Sequence, residues 1–337
     1  MAIKNINHFN KLLTFIPNKF IQFVYDEVLI RTYNHVNFID RIKSKIFTKL
    51  FNFLTLHDPI IKTNIAGIIL SLPFSHRLPF ILKNHPYYSS NLGRIAKYAK
   101  GKYADLKGID VGANIGDSIA IFRKEELFPI LCIEGDDQFF SVLETNASSF
   151  TELHIAKQFL GEETEKIYVV NTKLGGTGNL QKNQNSTQIV EIQKLSDFIK
   201  QYPLFEKAKL LKIDTDGFDC KIIRGSLKFL DQSRPIIFFE YDPFFLNRQE
   251  DDGLSIFTTL SEIGYEKLLI YDNFGYLLLS LSINNLDLLK EIHLYFSGRK
   301  SYFYCDICVF HAEDIDIFEV ARDSEIKFFT NKLINHK

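Results

Sequence analysis

A chain of 337 residues with 46% hydrophobic and 14% aromatic residues is long and apolar enough for one large α/β domain with an appendage, or for two small domains. This composition excludes disorder as the main state, and a net charge of −1 gives no general attraction to nucleic acid. No apolar run reaches the length of about 18 residues that a membrane span needs. Neither nucleic acid nor the membrane core is therefore a predicted partner.

The cysteines indicate the compartment. All four (Cys132, Cys220, Cys305 and Cys308) fall in predicted strands or helices, which is typical of a reduced protein rather than a disulfide scaffold. Cys305 and Cys308 are three positions apart in a predicted strand and so face opposite sides, which disfavours a metal or redox site. The N-terminus also lacks the apolar stretch of a secretory signal. A cytoplasmic location is predicted.

Residues 1–57 are predicted to form an amphipathic helical extension. Apolar positions repeat with helical spacing from Phe9 to Ile16 and again from Ile39 to Leu54. The extension carries eight Lys and Arg against three Asp and Glu, a net charge of +5. We favour helices that pack on the protein's own domain with their lysines in water. The alternative is that residues 1–57 contact an anionic membrane surface peripherally.

Residues 58–105 lead into the main domain and are interpreted as a cap on its substrate side. Short strands are predicted from Pro59 to Leu82, and a helix from Asn91 to Lys100. His76 and His85 flank a stretch rich in Pro and Tyr. Because imidazole titrates near neutral pH, His85 is a candidate general base and His76 a candidate substrate contact. The alternative for both is a structural or exposed histidine.

A glycine turn follows. Residues 106–116 read Leu-Lys-Gly-Ile-Asp-Val-Gly-Ala-Asn-Ile-Gly, which predicts a buried strand, a turn and then a helix from Asp117. Gly112 and Gly116 allow the backbone to approach a ligand closely, and Asn114 is the non-glycine residue that best tolerates a positive φ. Such a turn at a helix N-terminus is typical of a nucleotide-like cofactor site. Asp117 is interpreted as the helix cap or as a further cofactor contact.

Two acids near this turn decide which cofactor is favoured. Asp110, at the end of the strand, would repel a pyrophosphate but pair with a cationic amino-acid end, which favours S-adenosylmethionine over NAD. Glu134 closes the next buried strand, 24 positions later. An acid about 20 residues past a glycine loop is placed to accept hydrogen bonds from ribose hydroxyls. The predicted cofactor-binding residues are Asp110, Gly112, Asn114, Gly116, Asp117, Glu134 and Asp214.

Two further predicted strands end in carboxylates. Lys209 to Ile213 is followed by Asp214 and Asp216, and Pro235 to Phe239 by Glu240. The carboxyl ends of strands in an open α/β sheet meet at the edge where ligands bind. Asp214 and Asp216 are therefore candidate catalytic groups, and Glu240 is a candidate substrate contact. The alternative for Asp216 is a helix N-cap.

These motifs together resemble those of the FkbM-type S-adenosylmethionine-dependent methyltransferases. The resemblance rests on IDVGANIGDS (109–118), CIEGDDQFFSVLETN (132–146), LLKIDTDGFDCKIIRGSLKFL (210–230) and RPIIFFE (234–240), and it covers roughly residues 60 to 310. One departure is the family's usual DVEGxE motif. It reads Asp214-Thr215-Asp216-Gly217-Phe218-Asp219 here, with aspartates in place of both glutamates.

The resemblance implies a class I methyltransferase (Rossmann-like) fold over residues 106–315, a doubly wound and mainly parallel α/β sheet with an antiparallel last strand. Regular alternation of predicted strands and helices agrees with it. Residues 173–190 are interpreted as a polar loop over the site, 275–289 as an extended connection, and 316–337 as a helical tail. Strands are predicted near 107–111, 130–134, 153–157, 166–172, 209–214, 235–240, 265–271 and 302–310, and helices near 115–124, 137–147, 193–201, 217–230 and 252–263.

The predicted function is S-adenosylmethionine-dependent O-methylation of a hydroxyl group on a sugar, glycan, glycolipid precursor or secondary metabolite. The small-molecule or glycan acceptor is implied by the resemblance alone. A general base removes the hydroxyl proton, with Asp214, Asp216 and His85 as candidates. Mg²⁺ held by the rim carboxylates is an alternative that is not favoured, and no metal ligands are predicted.

Two other functions remain open. The first is a non-catalytic cofactor-binding or scaffold protein that keeps the methyltransferase fold. The second is an NAD-dependent dehydrogenase, against which Asp110 and the missing Gly-x-Gly-x-x-Gly motif argue.

Overall fold

The computed structural model describes residues 16–31, 38–174, 177–182, 186–298 and 303–335. The chain divides into two compact units. The N-terminal unit comprises Met1–Pro86 with Leu174–Gly176, and the larger unit comprises Tyr87–Lys173 and Thr177–Lys337.

The N-terminal unit contains helices and one hairpin. Ala66 and Gly67, between the two strands, have φ angles of 50° and 95°, as a two-residue hairpin turn requires. This confirms the helix predicted from Ile39 to Leu54 and the strands predicted after Pro59 as far as Pro73, but the end of the segment predicted as strands, up to Leu82, is helical (Leu78–Asn84). The helix predicted from Phe9 lies outside the described residues apart from Ile16. The elements are α1 (Asn18–Arg31), α2 (Phe38–Thr55), β1 (Ile60–Ile65), β2 (Ile68–Pro73) and α3 (Leu78–Asn84).

An aromatic cluster forms the core of this unit. The rings of Tyr25, Phe51, Phe74 and Phe80 lie 4.7–6.0 Å apart between centroids. Burial of such rings is the main stabilising contribution available to a unit of this size. The composition, which has 32 Phe and no Trp, predicts a core of this kind.

The larger unit alternates strands and helices. Its strands are β3 (Gly108–Val111), β4 (Ile130–Glu134), β5 (Leu153–Lys157), β6 (Phe159–Leu160), β7 (Glu165–Leu174), β8 (Thr177–Lys182), β9 (Ile189–Gln193), β10 (Leu210–Ile213), β11 (Ile236–Tyr241), β12 (Tyr265–Asp272), β13 (Leu277–Ser282) and β14 (Cys305–His311). Its helices are α4 (Ser90–Lys102), α5 (Asp117–Glu125), α6 (Asp137–Ala147), α7 (Leu195–Phe198), α8 (Asp219–Gly225), α9 (Leu227–Ser233), α10 (Pro243–Arg248), α11 (Ser255–Glu262), α12 (Leu286–Ser297) and α13 (Ile315–Asn335).

The central sheet has eight strands in the order β13-β12-β14-β11-β10-β3-β4-β5. Strands β5, β4, β3, β10 and β11 pair in parallel, whereas β14 pairs antiparallel with both β11 and β12. Parallel neighbours that are distant in sequence require helical crossovers on the faces of the sheet. This topology confirms the predicted doubly wound, Rossmann-like class I methyltransferase fold with an antiparallel last strand.

The two faces of this sheet differ in polarity. Ile109, Val111 and Leu211 point into a large apolar core shared with the helices after β10. Asp110 and Lys212 alternate with them and face the opposite side, where α5 lies, because Ser118 of α5 donates a hydrogen bond to Asp110. On this polar side α4 packs against α5 and α13.

Helix α4 is fixed to α13 by a buried ion pair. The guanidinium group of Arg94 donates two hydrogen bonds to Glu325, at 2.6 and 2.7 Å. Bidentate pairing of this kind is among the stronger charged contacts in proteins. It holds the N-terminal end of α4 at one place above the carboxyl edge of the sheet.

Three predicted elements of the larger unit differ from the structure. The polar loop predicted for 173–190 contains strands β8 and β9, which join β6 and β7 in a second sheet of order β6-β9-β7-β8. The single helix predicted for 217–230 is two helices that meet at Ser226. The extended connection predicted for 275–289 contains β13 but then enters α12. Among the helices in the described part of the chain, none could cross a bilayer.

Candidate active site

The predicted glycine turn between β3 and α5 is confirmed. Gly112, Asn114 and Gly116 have φ angles of 75°, 48° and 89°. A Cβ atom on Gly112 would lie 1.9 Å from the backbone oxygen of Asp214, on the neighbouring strand end. The turn therefore needs glycine at this position because two loops pass each other there, in addition to any contact with a ligand.

Asp110 does not face a ligand site as predicted. Its side chain is fully buried, lies 3.1 Å from Lys212 Nζ and accepts a hydrogen bond from Ser118. A buried carboxylate in an apolar sheet requires such a partner, so this negative charge is neutralised within the fold. The proposed direct attraction between Asp110 and a cationic cofactor is not supported by this geometry.

Lys212 is one residue that the sequence analysis missed. It lies in the middle of β10, with 7% of its side chain exposed, and its Nζ lies 3.4 Å from Asp214 and donates to the Gly112 carbonyl at 3.2 Å. Although burial opposes the charge, Asp110, Asp214 and Asp117 raise its pKa well above the usual range. A lysine in an otherwise apolar strand, as in Leu-Leu-Lys-Ile-Asp, is the signal that could have found it, because a buried ammonium group needs carboxylate partners.

Glu134 closes β4 and is held by the backbone. Its two carboxylate oxygens accept hydrogen bonds from the N–H groups of Asn114 and Asp136, both at 2.8 Å. Burial raises its pKa to about 7, although these two N–H groups oppose the shift. The side chain is thus oriented in advance, and each oxygen keeps a lone pair that can accept from a ligand hydroxyl.

A cavity lies along the carboxyl ends of β3, β4 and β10. It encloses about 670 Å³, a volume that includes space open to solvent. Phe139, Gln158 and Phe159 form a wall that the sequence analysis did not anticipate. Of the predicted residues, Gly112, Asn114, Glu134, Asp214 and Asp216 line the cavity, whereas Asp110, Gly116 and Asp117 are not among its lining residues.

The turn after β10 separates the roles of its three aspartates. Asp219 accepts hydrogen bonds from the N–H groups of Thr215 and Gly217, both at 3.1 Å, and so holds the turn together. Asp216 has a left-handed φ of 51° and lies two residues before the helix N-cap, Phe218, so it is not the N-cap that was considered. Asp214, whose side chain is 50% exposed, is the aspartate most open to a ligand.

Glu240 ends β11 beside this turn. Its side chain is 8% exposed, and one of its oxygens has no hydrogen-bond partner among the described residues. Burial, followed by the charges of Asp214 and Asp216, raises its pKa well above the usual range. Glu240 thus lies near the cavity carboxylates, and its contact with a substrate stays a prediction.

The two predicted histidines belong to the N-terminal unit. His76 is buried there; its Nδ1 accepts a hydrogen bond from the N–H of Leu78, and its carbonyl accepts one from Tyr25. His85 is the C-cap of α3, where its N–H donates to the carbonyl of Ile81. These contacts are structural, and the roles of His76 in substrate binding and of His85 as a base stay predictions.

The rim carboxylates were also considered as a Mg²⁺ site. Within the described ranges, no group of three or more His, Cys, Asp or Glu side chains is arranged so that it could hold a metal ion. Asp219, which would be one oxygen ligand of such a site, already uses its carboxylate on two backbone N–H groups. The described residues therefore give no support for a Mg²⁺ site.

Comparison with known proteins identifies the domain. A sequence model described as the methyltransferase FkbM domain matches residues 110–267. The protein contains an FkbM methyltransferase domain. The match begins at Asp110 and ends in β12, so it includes the glycine turn, Glu134 and the Asp214 turn.

Solved structures with distant similarity to the FkbM domain include three bacterial proteins. One is methyltransferase FkbM from Methylobacillus flagellatus KT, with 14% identity, 66% of this chain and 56% of that chain covered, and a TM-score of 0.35. Another is an O-methyltransferase from Bacillus cereus in complex with SAH, with 10% identity, 68% and 88% covered, and a TM-score of 0.35. The third is a precorrin-6y C5,15-methyltransferase from Geobacter metallireducens GS-15, with 11% identity, 61% and 80% covered, and a TM-score of 0.33.

These similarities are too distant to carry an argument about function. The fold assignment rests on the strand order, and the domain assignment rests on the family match. No curated protein matches the sequence significantly.

Proposed function

We propose that the protein is an S-adenosylmethionine-dependent O-methyltransferase that acts on a hydroxyl group of a sugar, glycan, glycolipid precursor or secondary metabolite. The observation that carries the choice of cofactor is the charge of the cavity. Four acids line it (Glu134, Asp136, Asp214 and Asp216), and none of its described lining residues is Lys or Arg. A dinucleotide would bring two phosphate charges into this site, whereas S-adenosylmethionine brings a cationic sulfonium and an ammonium group.

The residues present fit an adenosyl cofactor. Glu134 has oxygens in place for the ribose hydroxyls, and the phenyl rings of Phe139 and Phe159 offer apolar surface for the base. The glycine turn and Asp214 supply carbonyl and carboxylate oxygens for the amino-acid end. When bound, S-adenosylmethionine supplies a methyl group on a sulfonium, which is already activated for displacement.

The remaining chemistry belongs to this chain. An acceptor hydroxyl must be aligned and must lose its proton as it attacks. Asp214 is the candidate base, because it lines the cavity and is half exposed. Asp216 also lines the cavity and stays a second candidate; burial and the charges of Asp214 and Asp219 raise its pKa well above the usual range. We also propose a cytoplasmic location and a small-molecule or glycan acceptor.

Calorimetry with S-adenosylhomocysteine, S-adenosylmethionine and NAD tests the cofactor assignment. We expect micromolar binding of both sulfur compounds and no binding of NAD. Binding of NAD alone, or of none of the three, would overturn the proposal. Binding of the sulfur compounds without methyl transfer to any acceptor would instead favour the non-catalytic scaffold.

Asp214→Asn tests the base in an assay of S-adenosylhomocysteine release with mixed methyl glycosides as acceptors. Loss of a general base lowers kcat by about 100-fold or more, and this loss should exceed any loss of affinity for S-adenosylhomocysteine, whose amino-acid end Asp214 would also contact. The matched control is Asp231→Asn, an exposed aspartate at the end of α9. Equal kcat values for the two variants would remove Asp214 from the mechanism.

A further inference from the structure

The helix pair of the N-terminal unit has one side that the core of this unit does not use. Tyr25 of α1 and Phe51 of α2 both point into the aromatic core, where each ring packs against those of Phe74 and Phe80. With this side the two helices pack on their own unit, as the sequence favours. Their opposite side faces away from the aromatic core.

Large apolar side chains lie on the outward side of α1. Phe20, Phe23 and Ile30 are between 43% and 60% exposed. At about 100° of rotation per residue, these three side chains lie within an arc of about 80°, on the side of the helix opposite Tyr25. Glu27, which lies in the same arc, is half-buried. Single exposed apolar residues are ordinary on a protein surface, whereas a row of them marks an interaction surface.

Helix α2 extends this row. Ile46 is exposed and lies about 140° around the helix from Phe51, so it also faces away from the core. The ring centroids of Phe23 and Phe47 lie 5.7 Å apart, which places the row on α1 next to α2. The exposed apolar side chains of the two helices therefore form one surface.

Four exposed lysines border this apolar surface. Lys43 and Lys49 lie one turn before and one turn after Ile46, on the same side of α2. The acids of the two helices whose side chains are described, Asp26 and Glu27, are half-buried, so positive charge dominates at this surface. We call the surface the outer face, and its residues are Lys19, Phe20, Phe23, Ile30, Lys43, Lys45, Ile46 and Lys49.

We propose that the outer face binds the surface of an anionic bilayer, with its apolar side chains at the level of the headgroups and its lysines on lipid phosphates. Lysines around exposed Phe and Ile side chains are typical of helices that lie in the membrane interface. Binding of this kind is peripheral and reversible. The inference does not rest on the proposed function, because it requires neither a cofactor nor an acceptor.

Charge favours this occupant over two others. A second copy of the chain would bring the four lysines of one outer face against the four of the other at a two-fold axis, which is repulsive. Residues 1–15 contain Lys4 and Lys11 but no Asp or Glu, so this segment would also add like charge if it covered the outer face. An anionic lipid surface supplies the opposite charge, and each lysine near such a surface strengthens binding about fivefold.

Flotation of the full chain with lipid vesicles tests the proposal. One set of vesicles is phosphatidylcholine alone, and the other is phosphatidylcholine and phosphatidylglycerol in equal amounts. We expect the chain to float with the anionic set, to remain unbound with the neutral set, and to be released by high salt, because salt screens exposed charges. Absence of flotation with the anionic set, or equal flotation with both sets, would overturn the proposal.

A triple variant tests the lysines: Lys43→Gln, Lys45→Gln and Lys49→Gln. Loss of three charges, at about fivefold each, should lower the partition coefficient for the anionic vesicles about 100-fold. The control should bind almost as well as the wild type, and it carries the same change at three exposed lysines of the larger unit: Lys97→Gln, Lys166→Gln and Lys200→Gln. An equal loss in the control would assign the binding to net charge and contradict a role for the outer face.

A double variant, Phe20→Ser with Ile46→Ser, tests the apolar side chains. It should bind the anionic vesicles about tenfold more weakly, because two exposed apolar side chains are no longer removed from water on binding. The control is Leu294→Ser, at an exposed position of α12 in the larger unit. An unchanged melting temperature shows that a variant is folded. Equal binding by the wild type and the folded double variant would exclude the outer face as the contact.

Sedimentation of the wild type without lipid tests the competing occupant, a second copy of the chain. We expect the same sedimentation profile for the wild type and for the double variant Phe20→Ser with Ile46→Ser. A wild-type dimer that dissociates in the double variant would assign the outer face to self-association and contradict the proposal.

Discussion

Two pairs of charged groups lie on the same face of the central sheet and differ in what balances them. Asp110, in the middle of β3, is paired with Lys212, and both are buried. Glu240 and Asp306, at the ends of their strands, face each other across β11 and β14. Neither of these two has a cation within ion-pair distance among the described residues. The first pair is complete without a ligand and supports the fold, whereas the second leaves one buried oxygen of Glu240 without a hydrogen-bond partner among the described residues.

The largest effect is expected from breaking the complete pair. Lys212→Met leaves the Asp110 carboxylate buried without its counter-charge, which costs about 3–5 kcal/mol of unfolding free energy. The double variant Lys212→Met with Asp110→Leu removes both charges and should recover most of that loss. Urea denaturation measures both. A single variant that loses less than about 1 kcal/mol would show that the pair does not hold the sheet.

A smaller loss is expected at the crossing of the two loops. Gly112→Ala forces a methyl group against the Asp214 backbone oxygen and a left-handed φ on alanine, which costs about 1–3 kcal/mol and distorts the cofactor turn. Gly101→Ala in α4 is the control, because no atom lies within 4 Å of its added methyl group. It should be neutral or stabilising by up to about 1 kcal/mol. Equal melting temperatures would contradict the close approach.

The next largest effect is expected at Glu134, the acid of the cofactor cavity that faces the ligand. Burial raises the pKa of Glu134 to about 7. The pKa of Glu134 is higher in the folded protein than its ordinary value, so ionisation of Glu134 lowers the stability of the protein as the pH rises toward 7. Ribose hydroxyls that hydrogen-bond to the ionised carboxylate offset this loss. Affinity for S-adenosylhomocysteine should therefore increase from pH 6 to pH 8, by close to tenfold if Glu134 alone controls it.

Asp219 titrates in the same range, because burial and the charge of Asp214 raise its pKa to about 7 as well. The variant Glu134→Gln separates the titration of Glu134 from that of Asp219. Glu134→Gln should weaken binding at pH 8 by about tenfold and give a flat pH profile. Glu144→Gln, an exposed acid on α6, is the control and should behave as wild type. A pH profile that keeps its slope in Glu134→Gln would assign the titration to another group.

The sequence predicted the fold well because its strands are continuous apolar runs. Strands β4 and β5 and helix α6 begin and end at the predicted residues. The positive φ angles at Gly112 and Asn114 followed from the same local chemistry. Prediction was weaker where structure depends on pairing partners: strand β8 was predicted to be part of a polar loop because Leu180 is its one large apolar residue.

The sequence predicted acids that line the cavity, but it did not predict the ion pair between Asp110 and Lys212. Glu134, Asp214 and Asp216 do line the cavity, because acids at strand ends meet at one edge. The direction of Asp110 depends on Lys212, 102 positions away, and no local pattern gives that distance.

The smallest effects contrast two neighbouring aspartates at the start of α6. Asp136 is the N-cap: its carboxylate accepts from the N–H groups of Gln138 and Phe139, so Asp136→Ala should cost about 1 kcal/mol. Asp137 pairs with Lys157, but its side chain is 86% exposed, so Asp137→Ala should change the unfolding free energy by less than about 0.5 kcal/mol. Denaturant titration of both variants decides between them. Equal losses would mean that exposure does not separate structural from surface acids in this domain, and the assignment of the rim carboxylates by burial would lose its basis.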